Sequence, residues 1–353
     1  MKRVFLESHN LKNRASGFGV FNYELIKAIE RQHPEDLEIT LNLKNKSHYQ
    51  QEFGDFFKYN LYTGLQRNKL FRITKKFDVW HSLNQNIKVE PMFKQKKYIL
   101  TVHDVNFAQD EKNKTNLSRI KLFKEKLKKA DLITYISHYA KEQTYKFFEV
   151  PAVEERIIYN GNPIREIYDL SKIRPKVPVD RPYFYSIGDF LEKKNFHSLV
   201  RMMKEIPDYE LILSGSNKKV YGDFIRSLIA ELRLEDRVIL TGRVSEEEKQ
   251  YYIQNSEAFL FPSIGEGFGL PPIEAMAFGK PVFLSNQASL PEIGADAAFY
   301  WEDFDPIYMK EFLFKKLDEF HQNPAFFQEK LKTRAAFFNW DETAKQYIDC
   351  YRF

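Results

Sequence analysis

Two glutamates eight positions apart, Glu266 and Glu274, bracket a run that holds Gly267, Phe268, Gly269, Leu270 and two prolines, Pro271 and Pro272. The chemistry this arrangement can do is anion binding next to a polyol. Glycines at 265, 267 and 269 let backbone N–H groups approach a ligand closely. A helix opening near Pro271 or Pro272 directs its positive dipole end at the same place. Loop amides together with a helix N-terminus suit phosphate. Glu266, in the loop, can reach a polar group near that anion. Glu274, about one turn into the helix, can accept two hydrogen bonds from a sugar diol, each worth about 1.5–3 kcal/mol for a charged acceptor. Phosphate, ribose and a further polyol in a row describe a nucleotide-sugar.

Other residues point the same way. Gly188-Asp189-Phe190-Leu191-Glu192-Lys193-Lys194-Asn195 follows an apolar run and opens a helix. Lys193 and Lys194 at a helix start oppose the dipole unless an anion relieves them; as bland surface lysines they would simply be solvated. Val102-His103-Asp104 ends a strand-like run. A neutral imidazole there can hydrogen-bond a sugar hydroxyl, or serve as a structural histidine on a backbone carbonyl. His81 is a softer candidate for acceptor contact. Asp104 reads as a cap for the loop that follows it.

These residues need strand ends to carry them. Val4–Leu6, Leu37–Leu41, Val79–His81, Tyr98–Val102, Leu132–Ile136 and Arg156–Tyr159 read as strands, with an amphipathic helix from Phe21 to Ile29. Pro163, Pro175, Pro178 and Pro182 then mark a linker. A second series follows at Tyr183–Ile187, Tyr209–Leu213, Val238–Leu240, Ala258–Phe261 and Pro281–Leu284. Strands alternating with helices predict an α/β chain of two doubly wound parallel sheets, with ligands beyond the strand carboxyl ends. The expected division is 1–165, a linker at 166–182, 183–335, and a terminal helix at 336–353.

Glu266 and Glu274, set around Gly267-Phe268-Gly269-Leu270-Pro271, resemble the paired-glutamate signature of retaining glycosyltransferases of family 4. The resemblance continues through Gly279-Lys280-Pro281-Val282 and Leu290-Pro291-Glu292-Ile293-Gly294. Glu192-Lys193-Lys194-Asn195 is similar to a run in the family's bacterial mannosyltransferase-like branch, with Lys193 in place of an arginine. Asp189 departs from the family pattern, which often has an arginine there. A carboxylate about 5 Å from a phosphate would cost about 3 kcal/mol per charge pair at an effective dielectric near 20.

The resemblance implies the GT-B fold: two Rossmann-like domains facing across a cleft, with a terminal helix that crosses back to the first. It implies that Lys193, Lys194 and the amides of Gly17, Gly19, Phe268, Gly269 and Leu270 hold a diphosphate. Gly17-Phe18-Gly19 resembles the family's loop beneath the donor phosphates. Glu266 would hold the donor sugar, Glu274 the ribose, and His103 would lie close to the sugar. His103, Lys194 and Glu266 are thus the expected catalytic set. Asn160-Gly161 matches a turn before the hinge, read as a glycine with positive φ. Ser137 and His138 match a position that shapes the cleft, and Gly215 and Arg243 are candidate wall residues. The partners implied are a nucleotide-sugar donor, with a lean towards GDP-mannose, and a glycan or lipid-linked acceptor. Neither metal nor other cofactor is expected. A nucleotide-sugar epimerase and a non-catalytic binding protein of this fold are the rival readings.

The chain has 353 residues and a net charge of +5. Its one cysteine, Cys350, excludes an intrachain disulfide and suits a reducing cytosol. No apolar run reaches the ~18 residues that span a bilayer. The segment 112–129 is strongly basic, with Lys112, Lys114, Arg119, Lys121, Lys124, Lys126, Lys128 and Lys129 beside Leu117, Ile120, Phe123 and Leu127. It fits an anionic membrane surface at the inner face of the plasma membrane, or a solvated helix face. Nucleic acid is not an expected partner, because no stacking aromatics or recognition motif accompany the charge.

Overall fold

The computed structural model describes every residue except 15, 110–112, 165, 180 and 353. It forms two compact units, Met1–Pro163 with Asn339–Phe353, and Ile164–Phe338. Every strand pairing among the described residues of the two sheets is parallel.

Unit 1 opens with β1 (Lys2–Leu6), α1 (Gly17–Gln32), β2 (Leu37–Leu43), α2 (Lys46–Phe53) and β3 (Lys58–Leu61). It continues with β4 (Val79–Ser82), β5 (Lys97–Val102), α3 (Lys114–Leu127), β6 (Leu132–Tyr135), α4 (His138–Phe147) and β7 (Glu154–Ile157). The described strands order as β3-β2-β1-β4-β5-β6-β7. The central strands are buried along their length, as a parallel sheet covered by helices requires. The edge strand β3 escapes the sequence reading because its four residues alternate poorly and none is buried.

Unit 2 runs β8 (Tyr183–Ile187), α5 (Phe196–Met203), β9 (Glu210–Ser214), α6 (Val220–Glu231), β10 (Val238–Gly242) and α7 (Glu246–Asn255). Then come β11 (Ala258–Phe261), α8 (Leu270–Ala277), β12 (Val282–Ser285), α9 (Leu290–Gly294), β13 (Phe299–Trp301), α10 (Pro306–Gln322) and α11 (Pro324–Phe337). The described strands order as β10-β9-β8-β11-β12-β13, so the order reverses between β8 and β11. The loops that leave β8 and β11 therefore flank the topological switch point, where α/β sheets bind ligands.

The proline-rich segment is not a free tether. Tyr168 N donates to Gln250 Oε1 at 3.2 Å, Lys176 N to Glu248 Oε1 at 3.0 Å, and Tyr252 Oη to the Val177 carbonyl at 2.9 Å. These bonds strap it along α7.

A last helix, α12 (Trp340–Arg352), completes unit 1. Tyr347 and Tyr351 are fully buried in that core. Gly161 explains the fit: a Cβ there would stand 2.3 Å from the backbone nitrogen of Trp340. The sequence reading assigned this glycine to a positive φ. Its φ is ordinary, and close approach of α12 is what demands it.

Candidate functional site

The site is built where β8 and β11 end. Gly188 leaves β8, and residues 192–194 make a single 3-10 turn that closes at Asn195 in the left-handed region, φ 54°. This turn is fastened to the loop after β11. The Lys193 carbonyl accepts from Ile264 N at 2.8 Å and from Ser263 Oγ at 2.9 Å. Gly188 is tight for a packing reason, since a Cβ there would stand 3.0 Å from Lys194 Cε.

That fastening delivers Lys194 to Glu266. Lys194 Nζ lies 2.5 Å from Glu266 Oε1 and 4.8 Å from the centroid of the Phe261 ring. Ser263 Oγ lies 2.6 Å from the same Oε1, and Ser285 Oγ holds the Ser263 carbonyl at 2.5 Å. Burial pushes the Glu266 carboxyl up, but Lys194, then Lys193, outweigh it and hold it below its ordinary range. The result is a carboxylate with one oxygen fixed, beside an ammonium with two N–H donors to spare.

Gly269 caps the start of α8 at φ 126°, a conformation that side chains rarely adopt, and Leu270 is the first residue of the helix. The first amides of α8 have no acceptor within the helix. Phe268 turns its ring inward, 5.5 Å from Phe338, and its carbonyl accepts from Ser289 Oγ at 2.5 Å. Ser289 thus pins the loop that carries the helix start.

Glu274 is buried within α8, and Lys249 of α7 donates to its Oε1 at 2.8 Å. Burial is the larger influence on both groups. It pushes the Glu274 carboxyl up despite Lys249. It pulls Lys249 down, but Glu274 and Glu246 outweigh that, so the ammonium is the firmly charged member.

Asp189, the departure noted above, faces Arg243, with Arg243 Nη2 3.7 Å from Asp189 Oδ1. Both side chains are half-exposed, so the pair is weak.

Unit 1 holds the remaining expected residues. Gly17-Phe18-Gly19 is a correction: it is the first turn of α1, not a loop. Ser16 caps that helix and accepts from Gly19 N at 3.2 Å, so the Gly19 amide is already engaged. Glycine at 19 is required because a Cβ would meet the Asn13 carbonyl oxygen at 1.9 Å. The turn does meet His103, whose ring lies edge-on to Phe18 at 4.9 Å and to Phe21 at 4.6 Å. His103 Nε2 donates to the Leu83 carbonyl at 2.9 Å, and burial lowers its pKa to about 4. It is a neutral histidine with Nδ1 as its acceptor face.

His81 is no acceptor contact. It is fully buried, with Nδ1 2.9 Å from Tyr351 Oη and Nε2 2.7 Å from Thr101 Oγ1. Ser137 caps α4 through Ala140 N at 3.0 Å. Lys126 is a second correction. The sequence reading placed it on a positive face, yet it is fully buried, 3.2 Å from Glu90 Oε1, and Lys129 reaches Glu90 Oε2 at 2.9 Å. Lys112 lies outside the described residues. Among the described residues no helix is long and apolar enough to cross a membrane.

Sequence reasoning missed Ser263, Ser289 and Lys249. Ser263 stands three residues before Glu266, and its hydroxyl was the available signal. Lys249 carried none, since its partner is on another helix.

Residues 169–306 match the family model for glycosyl transferases group 1. The O-antigen chain mannosyltransferase B of Escherichia coli is 27% identical over 269 residues, which are 72% of this chain and 70% of that protein. The O-antigen chain mannosyltransferase RfbU of Salmonella typhimurium is 28% identical over 57% of this chain, a match that spans only 55% of that relative. Sucrose-phosphate synthase from Thermosynechococcus elongatus superposes with a TM-score of 0.74 at 19% identity, covering 100% of this chain and 98% of that one. Anabaena HepE in complex with UDP and glucose gives 0.74 at 17% identity, covering 99% of each. Two Rossmann-like units with these neighbours define a GT-B protein. The chain has the GT-B fold, and the family model for glycosyl transferases group 1 matches most of its second unit.

Proposed function

We propose that this chain is a retaining hexosyltransferase of family 4. It moves mannose from GDP-mannose to a growing cell-surface glycan or lipid-linked acceptor, as in lipopolysaccharide or other polysaccharide synthesis. The observation that carries the reading is the Lys194–Glu266 pair at the switch point, fastened by Ser263 and standing beside the start of α8. The likeness to two O-antigen mannosyltransferases supports the choice of sugar and of acceptor class.

In this reading the acceptor hydroxyl oxygen bonds to the anomeric carbon on the face from which the diphosphate leaves. The bond between that carbon and the phosphate oxygen breaks, and the departing oxygen takes the acceptor proton. No protein base is needed. Lys194 and Lys193, with the amides of Phe268, Gly269 and Leu270, stabilise the leaving charge. Glu266 orients the sugar. Glu274 receives the ribose hydroxyls on the oxygen that Lys249 does not hold. The lysines and helix dipoles do the work for which other transferases recruit a divalent ion, so transfer proceeds with EDTA present. Arg243, 3.7 Å from Asp189, supports a reading in which part of the Asp189 charge is offset.

Thermal-shift titration with GDP, UDP, ADP and TDP and their sugar conjugates, with and without EDTA, is the test. Stabilisation by one nucleotide that persists with EDTA is the expected result. No shift with any of them would overturn the reading. Product analysis of GDP-mannose without acceptor separates transfer from epimerisation.

A further inference from the structure

The structure places an apolar and basic face on unit 1 at a site the sequence reading did not single out. Leu65 (61% exposed), Leu70 (79%) and Phe71 (52%) project from the two short 3-10 turns that follow the edge strand β3. Phe93 is half-exposed and Met92 nearly so. A parallel bridge between Ile73 and Pro91, with Met92 N donating to the Ile73 carbonyl at 2.8 Å, brings these two stretches side by side. Lys76 Nζ lies 5.9 Å from the Phe93 ring centroid. Isolated exposed leucines are ordinary, but apolar side chains gathered this way mark a contact surface.

Charge decides what it contacts. Residues 58–76 contain six basic side chains, Lys58, Arg67, Lys69, Arg72, Lys75 and Lys76, and no acidic one. Lys94 adds an exposed cation beside Phe93. Aromatic and aliphatic side chains ringed by cations fit the interface of an anionic bilayer, where rings and leucines enter the headgroup boundary and lysines meet lipid phosphates. Helix α3 offers only half of this. Its Phe123 and Leu127 pack inward, Lys126 is buried on Glu90, and Leu117 is its one strongly exposed apolar side chain among the described residues.

We infer that this face, Leu65–Lys76 with Met92–Lys94, is the surface by which the protein docks on anionic phospholipid, and that α3 is not. Each basic residue near such a surface contributes about fivefold in affinity, so partition falls with added salt. The assignment stands apart from the donor reading, because vesicle binding needs no nucleotide.

The experiment is co-sedimentation of the full chain with vesicles of phosphatidylglycerol and phosphatidylethanolamine, and with vesicles of phosphatidylcholine alone. The wild type binds the anionic vesicles at least about tenfold better, an advantage that shrinks at high salt. Leu70→Ser with Phe71→Ser cuts binding about tenfold or more, by withdrawing apolar area from the interface, with melting temperature unchanged. Lys75→Glu with Lys76→Glu, a second variant with exposed positions only, does the same. Lys121→Glu with Lys124→Glu on α3 leaves most of the binding. The inference is overturned by no preference for anionic vesicles, by full binding of the first two variants, or by loss of binding in the α3 variant alone. It is also overturned if Leu70→Ser with Phe71→Ser abolishes a concentration-dependent dimer instead, which would give the face to a second copy of the chain.

Discussion

Lys249 on α7 and Glu274 on α8 form a buried ion pair, 2.8 Å between Nζ and Oε1, that fixes one oxygen of the second signature glutamate. Removing one partner of a buried pair strands the other, at a cost of about 3–5 kcal/mol. Lys249→Ala should therefore lower stability by about that much, measured by urea unfolding. Adding Glu274→Gln should recover part of the loss. If the two single changes simply add, the pair is not coupled.

Lys194 and Glu274 should separate kinetically. Lys194→Ala removes charge from beside the departing phosphate and should slow transfer about a hundredfold with little change in nucleotide affinity. Glu274→Ala should chiefly weaken nucleotide binding. Measuring nucleotide Kd by calorimetry beside kcat distinguishes them, and equal, unchanged kinetics in both would remove the site.

The buried histidines set an acid limit. Burial lowers His81 to about 3 and His103 to about 4, from an ordinary 6.5. Both folded pKa values are depressed, so the unfolded chain binds more protons as pH falls below 6.5. The stabilisation is complete above 6.5 and drains away as pH falls towards 4, at about 1.4 kcal/mol per pH unit per histidine. Urea midpoints across that range should show the decline, and His103→Gln should flatten it by about one proton.

Gly161→Ala should cost about 2–3 kcal/mol by overpacking against Trp340, whose nitrogen would lie 2.3 Å from the new Cβ. The transition of unit 1 should shift while that of unit 2 stays. Differential scanning calorimetry resolves the two, and an unshifted first transition would mean that α12 relaxes away from the turn.

Much of the fold and part of this site were legible because both are written in consecutive residues. The strands that became β1, β5, β8 and β11 are continuous apolar runs, as buried parallel strands must be. The loop from Phe261 to Leu270 carries Pro262, three glycines and Glu266 in one stretch. Gly17 and Gly19 misled, because a glycine serves a loop and a tightly packed helix start equally well. Lys126 misled for another reason: its spacing placed it on α3, but only tertiary structure supplies Glu90 as a reason to turn inward. Lys249 and Glu274 are joined across two helices, a relation that no local pattern records. The edge strands β3 and β13 are too short and too mixed in burial to stand out.

The burial of α12 in unit 1 bears on the order in which this protein is made. Residues 1–163 leave the ribosome without Tyr347 and Tyr351, which fill part of their core. All of unit 2 is synthesised before those side chains arrive. Unit 2 thus has its complete sequence in hand first, and unit 1 must wait, its sheet partly uncovered, until the C-terminal segment emerges. Domains usually fold in the order of synthesis. Here the segment translated before unit 2 is sealed only after it, and its sheet stays partly uncovered in between.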